Sequence, residues 1–121
     1  MSRILVADDE PHIRKLVTFT LSNRGHEILQ AEDGGQAFEM AKAELPDLIL
    51  LDVMMPVMTG YDVLHKLKAD EETAGIPVIM LSAKSQRTEV EAGLTRGAEQ
   101  YICKPFTPKD LVQQVTELLD T

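Results

Sequence analysis

The sequence predicts an α/β fold in which five strands form a doubly wound parallel sheet between two layers of helices. Short apolar runs alternate with stretches of helical period along the chain, which is typical of β-α-β units. Three runs also lack the alternating polarity of half-exposed strands, as expected for central strands that are covered on both faces. These runs are residues 4–7, 48–51 and 78–81. Shorter strands are predicted at 27–31 and 101–103.

The helices begin and end at recognisable signals. Pro11 predicts the start of the first helix and Gly25 its end. Each of the other four helices is predicted to start at an Asp or Thr that can cap it. In each case a Gln, Glu or Asp that can pair with the capping residue follows three positions later. These pairs are Asp33 with Gln36, Thr59 with Asp62, Thr88 with Glu91, and Thr107 with Asp110. Five helices alternating with five strands give a three-layer sandwich.

The composition excludes several classes of protein. With 121 residues and 44 % apolar residues, the chain is expected to be one ordered domain spanning 1–121. No apolar run approaches the roughly 18 residues of a membrane span. A net charge of −8 argues against direct binding to nucleic acid. A single cysteine fits a reducing cytoplasm.

Polar residues follow four of the predicted strands at the point where each ends. Asp8 and Asp9 follow the first strand, Asp52 the third, Ser82 the fourth and Lys104 the fifth. Because parallel strands bring their carboxyl ends to one edge of the sheet, we expect these groups to converge there. Such a set can hold a divalent cation and a phosphoryl group. Without a cation, at least one of the crowded carboxylates should have a raised pKa.

In this order and at these strand ends, the residues resemble the receiver domain of two-component response regulators over nearly the whole chain. The resemblance implies a flavodoxin-like fold with strand order 2-1-3-4-5. The features that carry it are Asp8-Asp9, Asp52, Met55-Pro56, Gly60, Ser82-Ala83, Tyr101 and Lys104-Pro105-Phe106.

The resemblance also implies a role for each site residue. Asp52 would accept a phosphoryl group from a sensor histidine kinase or a histidine phosphotransfer protein, with Lys104 and Ser82 contacting that group. Mg²⁺ would be ligated by Asp9, Asp52 and the backbone carbonyl of Met54, and by Asp8 through a water. The Lys104–Pro105 peptide bond is expected to be cis. The protein would be a switch that catalyses only its own phosphotransfer and dephosphorylation.

Ser82 and Tyr101 are the expected switch residues. We expect phosphorylation to draw the Ser82 hydroxyl onto a phosphoryl oxygen, which lets Tyr101 move inward. This movement would change the surface around the fourth helix, fifth strand and fifth helix, where a downstream effector protein would bind.

Two positions that tune the lifetime of the phosphoryl group in this family are Met54 and Lys84. Because a thioether cannot position an attacking water, Met54 predicts slow self-hydrolysis. Receivers fused to winged-helix DNA-binding domains typically carry Asp-Asp-Tyr where this chain has residues 99–101, and basic residues where it has Gln113 and Gln114. These differences favour a stand-alone receiver over a fragment of a longer regulator, which remains an alternative.

Other functions fit the residues less well. A nucleotide- or flavin-binding site on this fold would place acidic residues, here 8–10, against a phosphate. A hydrolase with an aspartyl-phosphate intermediate typically needs a second acid where this chain has Met54. A receiver that binds partners without phosphorylation stays open. Cys103 is interpreted as a small apolar residue of the core, and His12 lies one helical turn from the acidic residues.

Overall fold

The computed structural model describes residues 2–83 and 97–119. Strands and helices alternate up to residue 83, and one more strand and helix follow residue 97. The predicted helix start at Thr88 and Glu91 lies outside the described residues, as does Lys84. The predicted fifth helix is therefore numbered α4. The elements are β1 (Arg3–Ala7), α1 (Pro11–Ser22), β2 (Glu27–Ala31), α2 (Gly34–Glu44), β3 (Leu48–Asp52), α3 (Gly60–Ala69), β4 (Val78–Ala83), β5 (Gln100–Lys104) and α4 (Pro108–Leu119).

The five strands form one sheet in the order β2-β1-β3-β4-β5, and all neighbours are parallel. The predicted topology is thus confirmed. In register, Asp52 lies opposite Leu81, and Lys104 lies opposite Ala83. The carboxyl ends of β1, β3, β4 and β5 therefore lie along one edge of the sheet, where the sequence placed its polar residues.

Alternate residues of the central strands enter two separate hydrophobic cores. One core joins the sheet to α1 and α4 through residues such as Ile4, Leu50 and Val115, and the other joins it to α2 and α3 through Leu5, Leu51 and Leu67. The three-layer arrangement is confirmed. Because β1 and β3 are covered on both faces, polar residues are confined to their ends.

Capping side chains mark the starts of α2, α3 and α4. In each described case an oxygen of the capping residue accepts the backbone N–H of the residue three positions on. The pairs are Asp33 with Gln36 at 2.8 Å, Thr59 with Asp62 at 3.3 Å, and Thr107 with Asp110 at 3.1 Å. The first helix starts at Pro11 as predicted but ends at Ser22, and Gly25, with φ of 89°, lies in the turn that follows.

Candidate functional site

Asp8 directly follows β1, and its backbone N–H and both of its carboxylate oxygens form hydrogen bonds. The residue is fully buried. Its N–H donates to the carbonyl of Ala31 at 3.2 Å, and its Oδ1 accepts the N–H of Glu10 at 2.9 Å. Its Oδ2 accepts a hydrogen bond from Lys104 Nζ at 2.8 Å. These hydrogen bonds leave the Asp8 side chain little freedom to move, so its carboxylate has a fixed position at the edge of the sheet.

Lys104 brings the end of β5 to the acidic residues. Its ammonium group lies 2.8 Å from Asp8, 3.1 Å from Asp52 and 3.4 Å from Glu10. Burial alone would lower the pKa of Lys104, but the hydrogen bond and charge of Asp8 and the charge of Asp52 outweigh it and raise the pKa. The lysine is therefore a permanent cation within the acidic group. The Lys104–Pro105 peptide bond is cis, as expected.

Asp52 is the last residue of β3 and is buried. Burial, together with the negative charges of Asp8 and Asp9, raises its pKa from 3.8 to about 7, although Lys104 acts in the opposite direction. This agrees with the expectation that one of the crowded carboxylates has a raised pKa. A cation placed against Asp52 would favour its ionised form at neutral pH.

Four carboxylates could hold a metal ion at this edge, one more than the sequence predicted. Asp8, Asp9, Glu10 and Asp52 each offer an oxygen, and these oxygens lie within 4.8 Å of one another. Carboxylates are the hard oxygen ligands that Mg²⁺ prefers, and the one or two that it usually takes are available here. The donor set therefore fits this ion. The sequence shows Glu10 directly after Asp8-Asp9, so its negative charge near the site could be predicted. Its contact with Lys104 could not, because it depends on where β5 lies in the sheet.

Ser82 and Tyr101 lie on one face of the sheet. Ser82 is buried and pairs in register with Cys103, and Tyr101 pairs with Met80. The two hydroxyl-bearing residues are therefore diagonal neighbours across β4 and β5. Tyr101 is partly buried against the core that contains α2 and α3. Phosphorylation-dependent movement of either side chain remains a prediction.

The start of α3 packs directly behind Asp52. Gly60 donates its N–H to the carbonyl of Val53 at 2.8 Å. A Cβ at Gly60 would lie 2.2 Å from the backbone oxygen of Asp52, which is far inside van der Waals contact. Only glycine allows this approach. A glycine is thus required at position 60 because this residue packs against the backbone of Asp52 at the end of β3.

Arg14 was not selected by sequence reasoning, yet it contacts the site. Its Nη1 donates to the backbone carbonyl of Asp8 at 2.6 Å, and its Nη2 lies 3.5 Å from Glu32. An arginine in the second turn of an amphipathic helix gives no local sign of such a contact. By contrast, His12 is exposed on α1, and its Nε2 lies 3.2 Å from Oε2 of Glu10.

The remaining candidate residues differ in how far they are exposed to solvent. Met54 is 57 % exposed in the loop after β3. Cys103, the single cysteine of the chain, has intermediate exposure, so it is less buried than the sequence interpretation implied. Gln113 is exposed and Gln114 is partly exposed on α4. Within residues 2–83 and 97–119, no helix has the length and apolar character needed to cross a bilayer.

Comparison with known proteins identifies relatives of two kinds. The response regulator receiver domain family matches residues 4–116. Protein PilH of Pseudomonas aeruginosa is 37 % identical over 98 % of this chain and 98 % of its own. The DNA-binding response regulator MtrA of Mycolicibacterium smegmatis is 43 % identical over 93 % of this chain, but the match covers only 48 % of MtrA. The chain thus spans about half the length of that regulator.

Solved structures agree with the family match. The chemotaxis protein CheY4 of Vibrio cholerae superposes with a TM-score of 0.91 at 30 % identity, covering 98 % of both chains. The receiver domain of sensor histidine kinase PA1611 from Pseudomonas aeruginosa superposes with the same TM-score at 28 % identity, over 99 % of this chain and 98 % of the other. That receiver has a magnesium ion coordinated in its active site cleft.

Proposed function

Because the chain belongs to the response regulator receiver domain family, we propose that residues 1–121 form a receiver in which Asp52 is the phosphoryl acceptor. The observation that carries this assignment is the position of Asp52. It is buried at the end of β3, with Lys104 Nζ at 3.1 Å and a raised pKa. Asp8 is as deeply buried, but both of its carboxylate oxygens already have partners within the protein.

The proposed metal site uses the acidic residues around Asp52. Asp9, Asp52 and the backbone carbonyl of Met54 would ligate Mg²⁺ directly, and Asp8 would contribute through a water. When bound, the ion offsets the charge of the carboxylates and of the incoming phosphoryl oxygens. Support comes from the four carboxylates within 4.8 Å of one another and from the magnesium in the PA1611 receiver.

The proposed reaction is a phosphoryl transfer from a phosphohistidine. An Asp52 oxygen attacks phosphorus as the P–N bond to the imidazole breaks, and the imidazole leaves with that electron pair. The Lys104 ammonium and the Ser82 hydroxyl would contact the equatorial oxygens, where negative charge is concentrated. Water attacking the same phosphorus later releases inorganic phosphate and returns Asp52 to its carboxylate. The protein thus catalyses only its own phosphorylation and dephosphorylation.

The proposed output passes through Ser82 and Tyr101. Both lie on the face of the sheet covered by α2 and α3, so a hydroxyl drawn toward the phosphoryl group leaves space beside the Tyr101 ring. Two packings of one aromatic side chain form a two-state element that phosphorylation can bias. The surface that would change includes β5, α4 and the predicted fourth helix.

The proposed partners are proteins. A sensor histidine kinase or histidine phosphotransfer protein would donate the phosphoryl group, and an effector protein in the cytoplasm would bind the phosphorylated form. The net charge of −8 disfavours direct contact with nucleic acid. The match to nearly all of PilH supports a stand-alone receiver. The half-length match to MtrA supports the second candidate, the receiver segment of a longer regulator.

Intact-mass analysis after incubation with acetyl phosphate and Mg²⁺ tests the assignment. We expect wild type to gain one phosphoryl group only when Mg²⁺ is present, and Asp52→Asn to gain none. Asp62→Asn is the matched control, because it removes an exposed carboxylate from α3. Phosphorylation of Asp52→Asn at the wild-type level would assign the acceptor to another residue. If folded wild type gains no mass from acetyl phosphate or from a kinase, the chain binds partners without phosphorylation.

A further inference from the structure

The two peptide groups that flank Asp8 are each held by a residue of another element. In the Ala7–Asp8 peptide, the Asp8 N–H donates to the carbonyl of Ala31 at the end of β2. The Asp8 carbonyl accepts Nη1 of Arg14, from α1, at 2.6 Å. That carbonyl belongs to the same planar unit as the N–H of Asp9. Its orientation therefore determines the direction in which the chain continues to Asp9.

Arg14 itself is held in place. Its side chain is only 11 % exposed, and its own backbone N–H donates to the carbonyl of Glu10 at 3.1 Å. The second amino group of the guanidinium lies 3.5 Å from the exposed carboxylate of Glu32, just beyond β2. The guanidinium thus connects the end of β1 with the segment between β2 and α2. A planar group with several donors suits two acceptors in fixed positions, whereas an ammonium is a point charge.

Asp9 depends on this support more than its acidic neighbours do. Asp8 and Asp52 are buried and accept hydrogen bonds from Lys104, whereas Asp9 is exposed. Its carboxylate can still reach the other three acidic groups. The direction in which the backbone presents Asp9 therefore decides whether its carboxylate faces the metal site.

We propose that Arg14 is a positioning residue of the phosphorylation site: it orients the Asp8–Asp9 peptide and thereby presents the Asp9 carboxylate to Mg²⁺. The proposal rests on the proposed function, because Asp9 matters as a ligand of the metal. Arg14 does not touch the phosphoryl group or the metal. Its loss should weaken Mg²⁺ binding and leave the chemistry at saturating Mg²⁺ nearly unchanged.

Mg²⁺ titration of Arg14→Gln tests the proposal. We expect the dissociation constant for Mg²⁺, measured by calorimetry, to rise about tenfold, the lower end of the range for residues that support a metal ligand. The Mg²⁺ concentration for half-maximal phosphorylation by acetyl phosphate should rise equally, while the rate at saturating Mg²⁺ stays near wild type. Arg14→Lys should recover part of the affinity. Lys15→Gln, which removes an exposed charge from the same helix, is the matched control.

A second readout needs no metal. In Mg²⁺-free protein, the amide resonance of Asp9 should shift in Arg14→Gln and keep its position in Lys15→Gln. Wild-type Mg²⁺ affinity in folded Arg14→Gln, or an unmoved Asp9 amide, would overturn the proposal. So would a loss of rate at saturating Mg²⁺ with unchanged affinity, because that indicates a general structural role. If wild type binds no Mg²⁺, the proposed function fails instead, and the Asp9 amide still tests the positioning.

Discussion

Lys104 Nζ lies 2.8 Å from Asp8 Oδ2, although the two residues are 96 positions apart in the chain. The contact joins β5, at one edge of the sheet, to β1 near its centre, and β3 and β4 lie between them. Asp8 is fully buried and the lysine side chain is 14 % exposed, so the pair is largely removed from water. Removing one partner of such a pair leaves an unpaired charge, which is more costly than losing an exposed ion pair.

Lys104→Met should therefore destabilise the metal-free protein. We expect the free energy of unfolding at pH 8 to fall by about 3–5 kcal/mol, because Asp8 and Asp52 lose their shared cation. At pH 5 the loss should be smaller, since Asp52 can take up a proton. Urea denaturation at the two pH values, with EDTA present, measures both effects. Lys109→Met, at an exposed position of α4, is the control, and equal stability of the two variants at pH 8 would contradict the prediction.

The raised pKa of Asp52 makes stability depend on pH. In the folded protein its pKa is about 7, against 3.8 as the ordinary value. Between these values the folded state keeps a proton that the unfolded state has released. The resulting stabilisation is complete below about pH 4 and is lost as the pH rises through about 7. The loss amounts to about 4 kcal/mol, because the two pKa values differ by about three pKa units at about 1.4 kcal/mol each.

Asp52→Asn removes this dependence, because an amide does not titrate. The difference in unfolding free energy between the variant and wild type, measured in EDTA, should grow in favour of the variant from pH 4 to pH 8. Asp62→Asn should show no such trend. A constant difference across the range would mean that Asp52 ionises in the folded state as it does in an unfolded chain.

Gly60→Ala should disturb the strand end that carries Asp52. The added Cβ would lie 2.2 Å from the Asp52 carbonyl oxygen, and backbone atoms on both sides must shift. We expect a loss of at least about 2 kcal/mol in unfolding free energy, together with slower phosphorylation by acetyl phosphate. Gly75→Ala is the matched control, because nothing lies within 4 Å of its added Cβ. Wild-type behaviour of Gly60→Ala would show that α3 can move away without affecting Asp52.

Met54→Asn should shorten the lifetime of the phosphoryl group. Met54 follows Asp52 by two positions and is 57 % exposed, so an amide placed there can hydrogen-bond a water beside the site. We expect severalfold faster loss of phosphate, followed by intact mass after removal of acetyl phosphate. Met58→Asn, further along the same loop, controls for general loosening. An unchanged lifetime would show that Met54 does not limit access of water.

Tyr101→Ala should separate phosphorylation from its effect on the surface. The residue lies on β5, outside the acidic group, so phosphorylation by acetyl phosphate should proceed at about the wild-type rate. The amide shifts that phosphorylation produces in β5 and α4 should be lost or strongly reduced, whereas Tyr101→Phe should keep most of them. Equal shifts in wild type and Tyr101→Ala would remove Tyr101 from the switch.

The sequence predicted those features that are encoded locally. The caps at Asp33, Thr59 and Thr107 each involve two residues three positions apart, and the structure has all three. The sheet order came from the family resemblance together with the apolar runs. The convergence of Asp8, Asp52 and Lys104 followed because strand ends share an edge whenever the sheet is parallel.

What the sequence did not predict depends on contacts between distant elements. The contact between Glu10 and Lys104, at 3.4 Å, exists only because β5 brings the lysine to this edge of the sheet. Arg14 reaches the Asp8 carbonyl because α1 packs beside the end of β1, which no pattern within α1 encodes. The end of α1 at Ser22 also differs from the glycine signal, since the turn that follows can begin before the glycine. Side-chain partners at a junction of three elements require the packed structure.

The ammonium group of the site comes from β5, the final strand of the sheet in chain order. While a chain is being synthesised, its acidic residues emerge first, and their counter-charge follows only after the last strand of this sheet has left the ribosome. A truncated or half-folded copy would carry the carboxylates without Lys104 and would present a different charge to a kinase. Only a domain that has folded through β5 would then present the complete set of charges at this edge of the sheet.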